Sequence, residues 1–368
     1  MAATTPAHEH AQIRFRRALL LVVAVAAATG VLAGLSRVGV VLGWGPTFAA
    51  DHGPMLVVGV FGTVIALERA VALGSRWGYS AAAIGAAAAI GMLLGLASAG
   101  WLGVLSSAAL VAVNAAIIRR QSAAFTWLMF LGALVLVFGN VFWTLGHPVR
   151  NVAPAWMTFF VLTIAAERLE LSRLAPTPMW AKVILVLCAA ALAVSVSLVS
   201  SGVDGALGPA GGLMAAIGLW QLRFDLARRT LTRRGLPRFS AAGVLLGAAW
   251  LTFSGSTLLA LGLPHAGPVY DAILHGVFVG YVLSMVLAHA PIILPAVARV
   301  EIPFHPVLWG APVLLHLGLL LRVIGDLGTS NDLRQLGSVL NAVALVVFFM
   351  GALYSRRALA RSQEQRAP

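Results

Sequence analysis

Residues 51–73 read DHGPMLVVGVFGTVIALERAVAL. From Gly53 to Leu67 no side chain carries a charge, and only Glu68 and Arg69 interrupt the run before Leu73. A helix needs about 20 predominantly apolar residues to cross the hydrocarbon core of a bilayer. A strand of an ordinary sheet uses about five or six. The stretch therefore reads as a membrane-crossing helix, with His52 at its start and a Glu-Arg pair near its end. Similar runs bounded by Gly, Pro and charge lie at 17–41, 78–98, 101–118, 124–145, 152–170, 180–200, 207–223, 240–262, 270–294, 306–325 and 335–355. Composition agrees. The 368 residues are 60% hydrophobic and 10% charged, with a mean hydropathy of +0.94, whereas soluble domains carry about 25% charged residues. A soluble enzyme, a secreted disulfide scaffold and a disordered chain are excluded. The lone Cys188 lies inside an apolar run and can build neither a disulfide nor a CxxC site.

The expected fold is an all-α polytopic membrane protein of about twelve transmembrane helices. No connection is long enough for a separate soluble domain, so residues 1–368 read as one integral membrane domain with short tails at 1–16 and 356–368. The formal charge of +13 would suit a nucleic-acid binder, but in a membrane protein the position of Arg outweighs the sum. With the N-terminus in the cytoplasm, all of the 25 Lys and Arg residues except Arg37, Arg150, Arg322 and Arg334 fall on the inner side. The expectation is a bacterial inner (cytoplasmic) membrane protein with both termini cytoplasmic. The lipid bilayer is its partner, nucleic acid is not, and the basic stretch Arg223 to Arg238 meets anionic headgroups. Arg14 to Arg17 followed by an Ala-rich stretch also resembles a signal peptide. The long apolar run through Trp44 favours a retained first helix.

Spans two, six and ten recur at a spacing of four. The second ends Ile65-Ala66-Leu67-Glu68-Arg69, and the sixth, which starts near Asn151, ends Ile164-Ala165-Ala166-Glu167-Arg168. The tenth opens on His275-Gly276 as the second opens on His52-Gly53. The recurrence predicts three pseudo-symmetric four-helix arcs. Ionisable groups inside a membrane are costly and mark function or pairing, and four histidines fall within spans. At a rise of about 1.5 Å per residue, His52 and His275 share a level near the outer side, with His316 nearby, while His289 lies on the cytoplasmic half. Two histidines at one depth on different helices can ligate a haem from both faces; each can equally cap a helix or bond a carbonyl. Gly53 and Gly276 leave room for a flat macrocycle, and Asp51 and Asp271 are placed to orient the imidazoles as outer partners. His316 completes a candidate metal set. Arg322 and Arg334 are candidates for haem propionates. Met285 and His289, one turn apart, suit copper through soft ligands. Glu68, Glu167 and His289 form a candidate proton path. No P-loop, nucleophile elbow or dinucleotide fingerprint is present.

The twelve spans in three arcs, with His on spans two and ten near the outer face, resemble subunit I of the haem-copper oxidases. The run Asp51-His52-Gly53-Pro54-Met55-Leu56-Val57-Val58-Gly59-Val60-Phe61 is similar to NnrS-type relatives, twelve-span haem- and copper-containing membrane proteins linked to nitric oxide stress. The resemblance implies haem b on His52 and His275, with copper as a second metal, a gaseous ligand such as NO or O2, and a redox partner. It departs at the copper centre: spans six and seven lack the three histidines an O2- or NO-reducing binuclear site needs, and the second span-ten histidine, His289, is fourteen residues from the first. The expected role is thus ligand binding or one-electron transfer in the response to nitric oxide or redox stress. A proton-coupled secondary transporter and a non-catalytic subunit of a respiratory complex are the alternatives.

Overall fold

A computed structural model describes residues 6–200 and 204–364; each apolar run is helical in it, and no strand occurs among the described residues. The long helices are α1 (Pro6–Arg37), α2 (Gly45–Leu73), α3 (Tyr79–Leu93), α4 (Ala99–Arg120), α5 (Ala124–Thr144) and α6 (Val149–Leu171). They continue with α7 (Met179–Ser200), α8 (Leu207–Phe224), α9 (Leu236–Leu261), α10 (Pro268–Ala298), α11 (Pro306–Leu327) and α12 (Asn331–Glu364).

Ten of these are long and apolar enough to cross a membrane; α3 and α8 are not among them. The fifteen residues of α3 span about 22 Å, short of a hydrocarbon core of about 30 Å. The eighteen residues of α8 include Gln221, Arg223 and four glycines, which lower its hydropathy. Leu21, Leu187, Leu259 and Phe349 are more than half exposed. Large apolar side chains turned outward on so many helices fit contact with lipid rather than water. The chain is a multi-pass, all-helical membrane protein.

The helices group into two compact units. One takes the described residues up to Ser122, Leu136–Val149 and Ile292–Glu301; the other takes Ala123–Val135, the described residues within Arg150–Pro291, and those from Ile302 onward. In the first unit the Ala- and Gly-rich face of α3 lets backbones come close, the usual solution where lipid offers no hydrophobic drive. A Cβ on Gly85 would lie 2.5 Å from Thr63 Oγ1 and 3.0 Å from Ser106 Oγ. Ser106 Oγ donates to the Ala81 carbonyl at 2.9 Å, and Asn140 Nδ2 donates to the Gly103 carbonyl at 3.2 Å. Arg16 and Arg17 of α1 donate to the carbonyls of Val297, Ala298 and Arg299. Val297 and Ala298 end α10 and Arg299 follows it, where carbonyls lack helical partners and cations are favoured.

In the second unit α6 is buried without a break from Val152 to Ala166, as expected of a helix apolar on every side. Two helix pairs there rest on glycine. Between α8 and α9, a Cβ on Gly211 would lie 2.6 Å from the Leu259 backbone nitrogen. Between α11 and α12, a Cβ on Gly337 would lie 2.5 Å from the Arg322 nitrogen, and one on Gly325 would lie 2.5 Å from the Arg334 nitrogen. Asn341 Nδ2 closes the second seam on the Leu315 carbonyl at 2.7 Å.

Candidate functional site

His52 and His275 share a local structure that no other described residue shows. Each is followed by an eight-residue π-helical stretch inside an otherwise regular helix, Met55–Gly62 in α2 and Gly276–Leu283 in α10. The π register is uncommon, occurs mostly as single turns, and clusters at functional sites. It widens the helix and rotates everything that follows relative to the histidine.

In the first unit, His52 Nδ1 donates to the Gly30 carbonyl at 2.7 Å. The imidazole lies against α1 at Gly34, where a Cβ would stand 2.5 Å from Cε1 and 2.7 Å from Nδ1. Gly34 is thus the cradle of the ring. The Nδ1 proton goes to Gly30 and not to Asp51, which corrects the role expected for Asp51 as outer partner: Asp51 ends a 3-10 turn at Gly45–Asp51, and the carbonyl of α1 reaches the ring first. Gly53 is half-buried in the turn that follows.

In the second unit, His275 Nδ1 donates to the Asp271 carbonyl at 2.9 Å and stands 3.3 Å from Asp271 Oδ1. Arg322 grips the same carboxylate as a fork, Nε to Oδ2 at 2.7 Å and Nη2 to Oδ1 at 2.9 Å. Two parallel charge-assisted bonds of this kind fix geometry as well as energy. Arg322 is therefore buried within α11 and committed to Asp271, not turned to a propionate from an outer loop. Arg334, in the first turn of α12, stands 3.6 Å from Asp326 Oδ1, and Asp326 is buried on α11. Asp326 escaped the sequence reading because the apolar run was ended one residue before it; its spacing of four from Arg322 was the available signal. The open side of Gly276 faces Ser254 Oγ of α9, so that glycine serves helix packing and leaves no space beside the ring.

In both histidines a committed Nδ1–H defines the tautomer in which Nε2 carries the lone pair. That is the arrangement imidazole ligands of metals adopt, with the other ring nitrogen held by a carbonyl or carboxylate. The donor chemistry and the Gly34 cradle fit a haem ligand. His316 has the opposite tautomer: Trp250 Nε1 donates to its Nδ1 at 3.1 Å, and its Nε2 donates to Ser284 Oγ at 3.2 Å. With both nitrogens engaged, His316 leaves the candidate metal set. His289 donates from Nδ1 to the Met285 carbonyl at 2.8 Å and accepts at Nε2 from Arg168 Nη2 at 3.0 Å. Met285 thereby meets His289 through its backbone, which removes the soft-ligand pair expected for copper. Among the described residues no three His, Cys, Asp or Glu side chains group as a metal site. Glu68 pairs with the adjacent Arg69 at 2.6 Å.

The arginines expected on the outer side have protein partners: Arg37 donates to the Ala49 carbonyl, and Arg150 to those of Leu263 and Pro264. Clefts of about 540 Å³ near Phe15, Trp77 and Tyr79 and about 380 Å³ near Phe125, Arg173 and Lys182 are lined by none of the candidate residues. Compared with known proteins, residues 16–357 match a family model described as a domain of unknown function, DUF8744. No curated protein and no solved structure matches.

Proposed function

The chain belongs to the DUF8744 family, and we propose that it is a haem b-binding protein of the bacterial inner membrane, in which His52 and His275 are the residues that would hold the haem. The observation that carries this reading is the shared arrangement of the two rings. Each Nδ1–H is spent on a backbone carbonyl, and each histidine precedes a π-helical octet within three residues. Haem would supply reversible one-electron chemistry, and a gaseous ligand such as NO or O2 would bind only in exchange for one of the two imidazoles. The protein's own residues do the rest. The Gly30 carbonyl and Gly34 hold the His52 ring, while Asp271 orients the His275 ring and is itself held by Arg322. Excess negative charge at Asp271 would make the His275 imidazole a stronger donor; the Arg322 fork moderates it.

The finer topology belongs to the same proposal: twelve crossings in three four-helix arcs, α3 and α8 being short crossings, with both termini cytoplasmic. The one-sidedness of the basic residues supports it. The NnrS-like role, in nitric oxide or redox stress with a redox partner, is the physiological setting proposed for such a site. Purified protein should carry a Soret band, shift on dithionite reduction, and lose the band in His52→Ala and His275→Ala. A haem-free wild-type protein that moves a solute with protons across proteoliposomes would instead establish the rival reading, a proton-coupled transporter. Buried charge at Arg322 and Asp326, with the half-buried Asp271 paired to Arg322, favours that second reading.

A further inference from the structure

A second polar cluster lies inside the unit that holds His275, and it draws on α6, α8 and α10. Gln221 Nε2 donates to Tyr281 Oη at 2.7 Å, and both residues are fully buried. Arg168, 6% exposed, donates to His289. Asp225, 4% exposed, follows α8 directly and uses Oδ1 to accept from the Ala227 nitrogen at 2.8 Å. Three buried atoms of this cluster have no hydrogen-bond partner: Arg168 Nε, Gln221 Oε1 and Asp225 Oδ2. Buried polar atoms are paired with protein or with internal water almost without exception, because an unpaired one costs about 1–3 kcal/mol. One such atom is tolerable; three within one cluster, a donor and two acceptors, describe a site for a small polar guest.

The charges around it decide which guest. Arg168 is the cation whose field reaches Asp225 and Tyr281, and Glu167 and Asp225 are the anions. His289 accepts from Arg168 and is therefore neutral. An anion would meet two carboxylates, so the cluster favours a proton. We propose that Arg168, Gln221 and Asp225 enclose internal water and that Asp225 is a proton-binding site reached from the Arg223–Arg238 side of the protein. Burial pushes the Asp225 carboxyl above its ordinary value, and Arg168 and the Ala227 nitrogen oppose the shift without cancelling it. The step is a simple equilibrium: Oδ2 takes a proton from internal water at low pH and returns it at high pH. It is independent of the haem reading, and it replaces Glu68, which is paired with Arg69, as the acid of the candidate proton path.

Infrared difference spectroscopy of the full chain in lipid nanodiscs, titrated with pH, tests it. The expected result is a protonated-carboxyl band that persists above the ordinary Asp range, shifts in D2O and is missing in Asp225→Asn. Its midpoint should be the same in sodium and in choline buffers. A folded Asp225→Asn protein with an unchanged spectrum overturns the proposal, and so does a midpoint that moves with sodium, which would make the site a metal-cation site. Should Asp225→Asn fail to fold, Arg168→Gln decides: removing the cation that holds the Asp225 carboxyl down should move the wild-type midpoint to higher pH, and an unmoved midpoint overturns the proposal.

Discussion

A guanidinium fork on Asp271, reaching from 51 positions away in sequence, decides how His275 is held. The spacing of four between Asp271 and His275 was legible, because residues four apart share a helix face. Arg322 was legible only as a rare arginine on the wrong side of the charge pattern. Its partner was not, since nothing local joins α10 to α11. Asp51 failed for the converse reason: adjacency in sequence suggested a contact that the Gly30 carbonyl wins in space. Breaking a buried ion pair leaves an uncompensated charge and costs about 3–5 kcal/mol. Arg322→Ala should therefore lower the thermal midpoint of the purified protein markedly. Arg322→Lys should fall between the two, because it keeps the charge but not the fork. Tryptophan-fluorescence melts check this, and an Arg322→Ala midpoint equal to wild type would remove the fork from the account.

Periodicity and apolar content placed all the long helices, and the helix starting near 268 was visible from Pro268 and the apolar run behind it. The two π stretches were not visible, because the change from i→i+4 to i→i+5 bonding leaves no compositional mark. What the sequence did carry was the repeated His-Gly, just before the first stretch and at the start of the second. Of the twelve expected crossings, ten helices meet the length and hydropathy a crossing needs; α3 and α8 do not, because their Ala- and Gly-rich runs are apolar but short or only weakly hydrophobic. The seams also depend on single residues. A Cβ on Gly337 would press on the backbone of Arg322, which cannot move aside, whereas one on Gly351 would meet Leu308 Cδ2 at an ordinary 3.4 Å. Gly337→Ala should cost about 1–3 kcal/mol by overpacking and pull Arg334 from Asp326. Gly351→Ala should be neutral or gain about 0.5–1 kcal/mol of helix propensity. Parallel melts of the two variants check the contrast, which fails if both shift alike.

At the scale of the molecule, composition alone identified a multi-pass membrane protein, since 10% charged residues cannot solvate the surface of a chain of 368. The grouping into two interleaved units was not legible, because α5 and α10 each contribute to both and no linker marks a boundary. The proposed orientation rests on arginines, and those that break the pattern are tied to protein atoms, as Arg150 is to Leu263 and Pro264. Alkaline phosphatase fused at either terminus should accordingly be inactive in cells; activity at both ends would reverse the proposed orientation, and activity at one end would change the parity of crossings. The central claim, that the two imidazoles preceding the π stretches are haem ligands, is tested most directly by electron paramagnetic resonance of the oxidised, purified protein. The expected result is a low-spin ferric signal of the two-imidazole type, converted to high spin or lost in His52→Ala and in His275→Ala. Wild-type protein with no ferric haem signal, or variants whose signal matches it, would contradict the account.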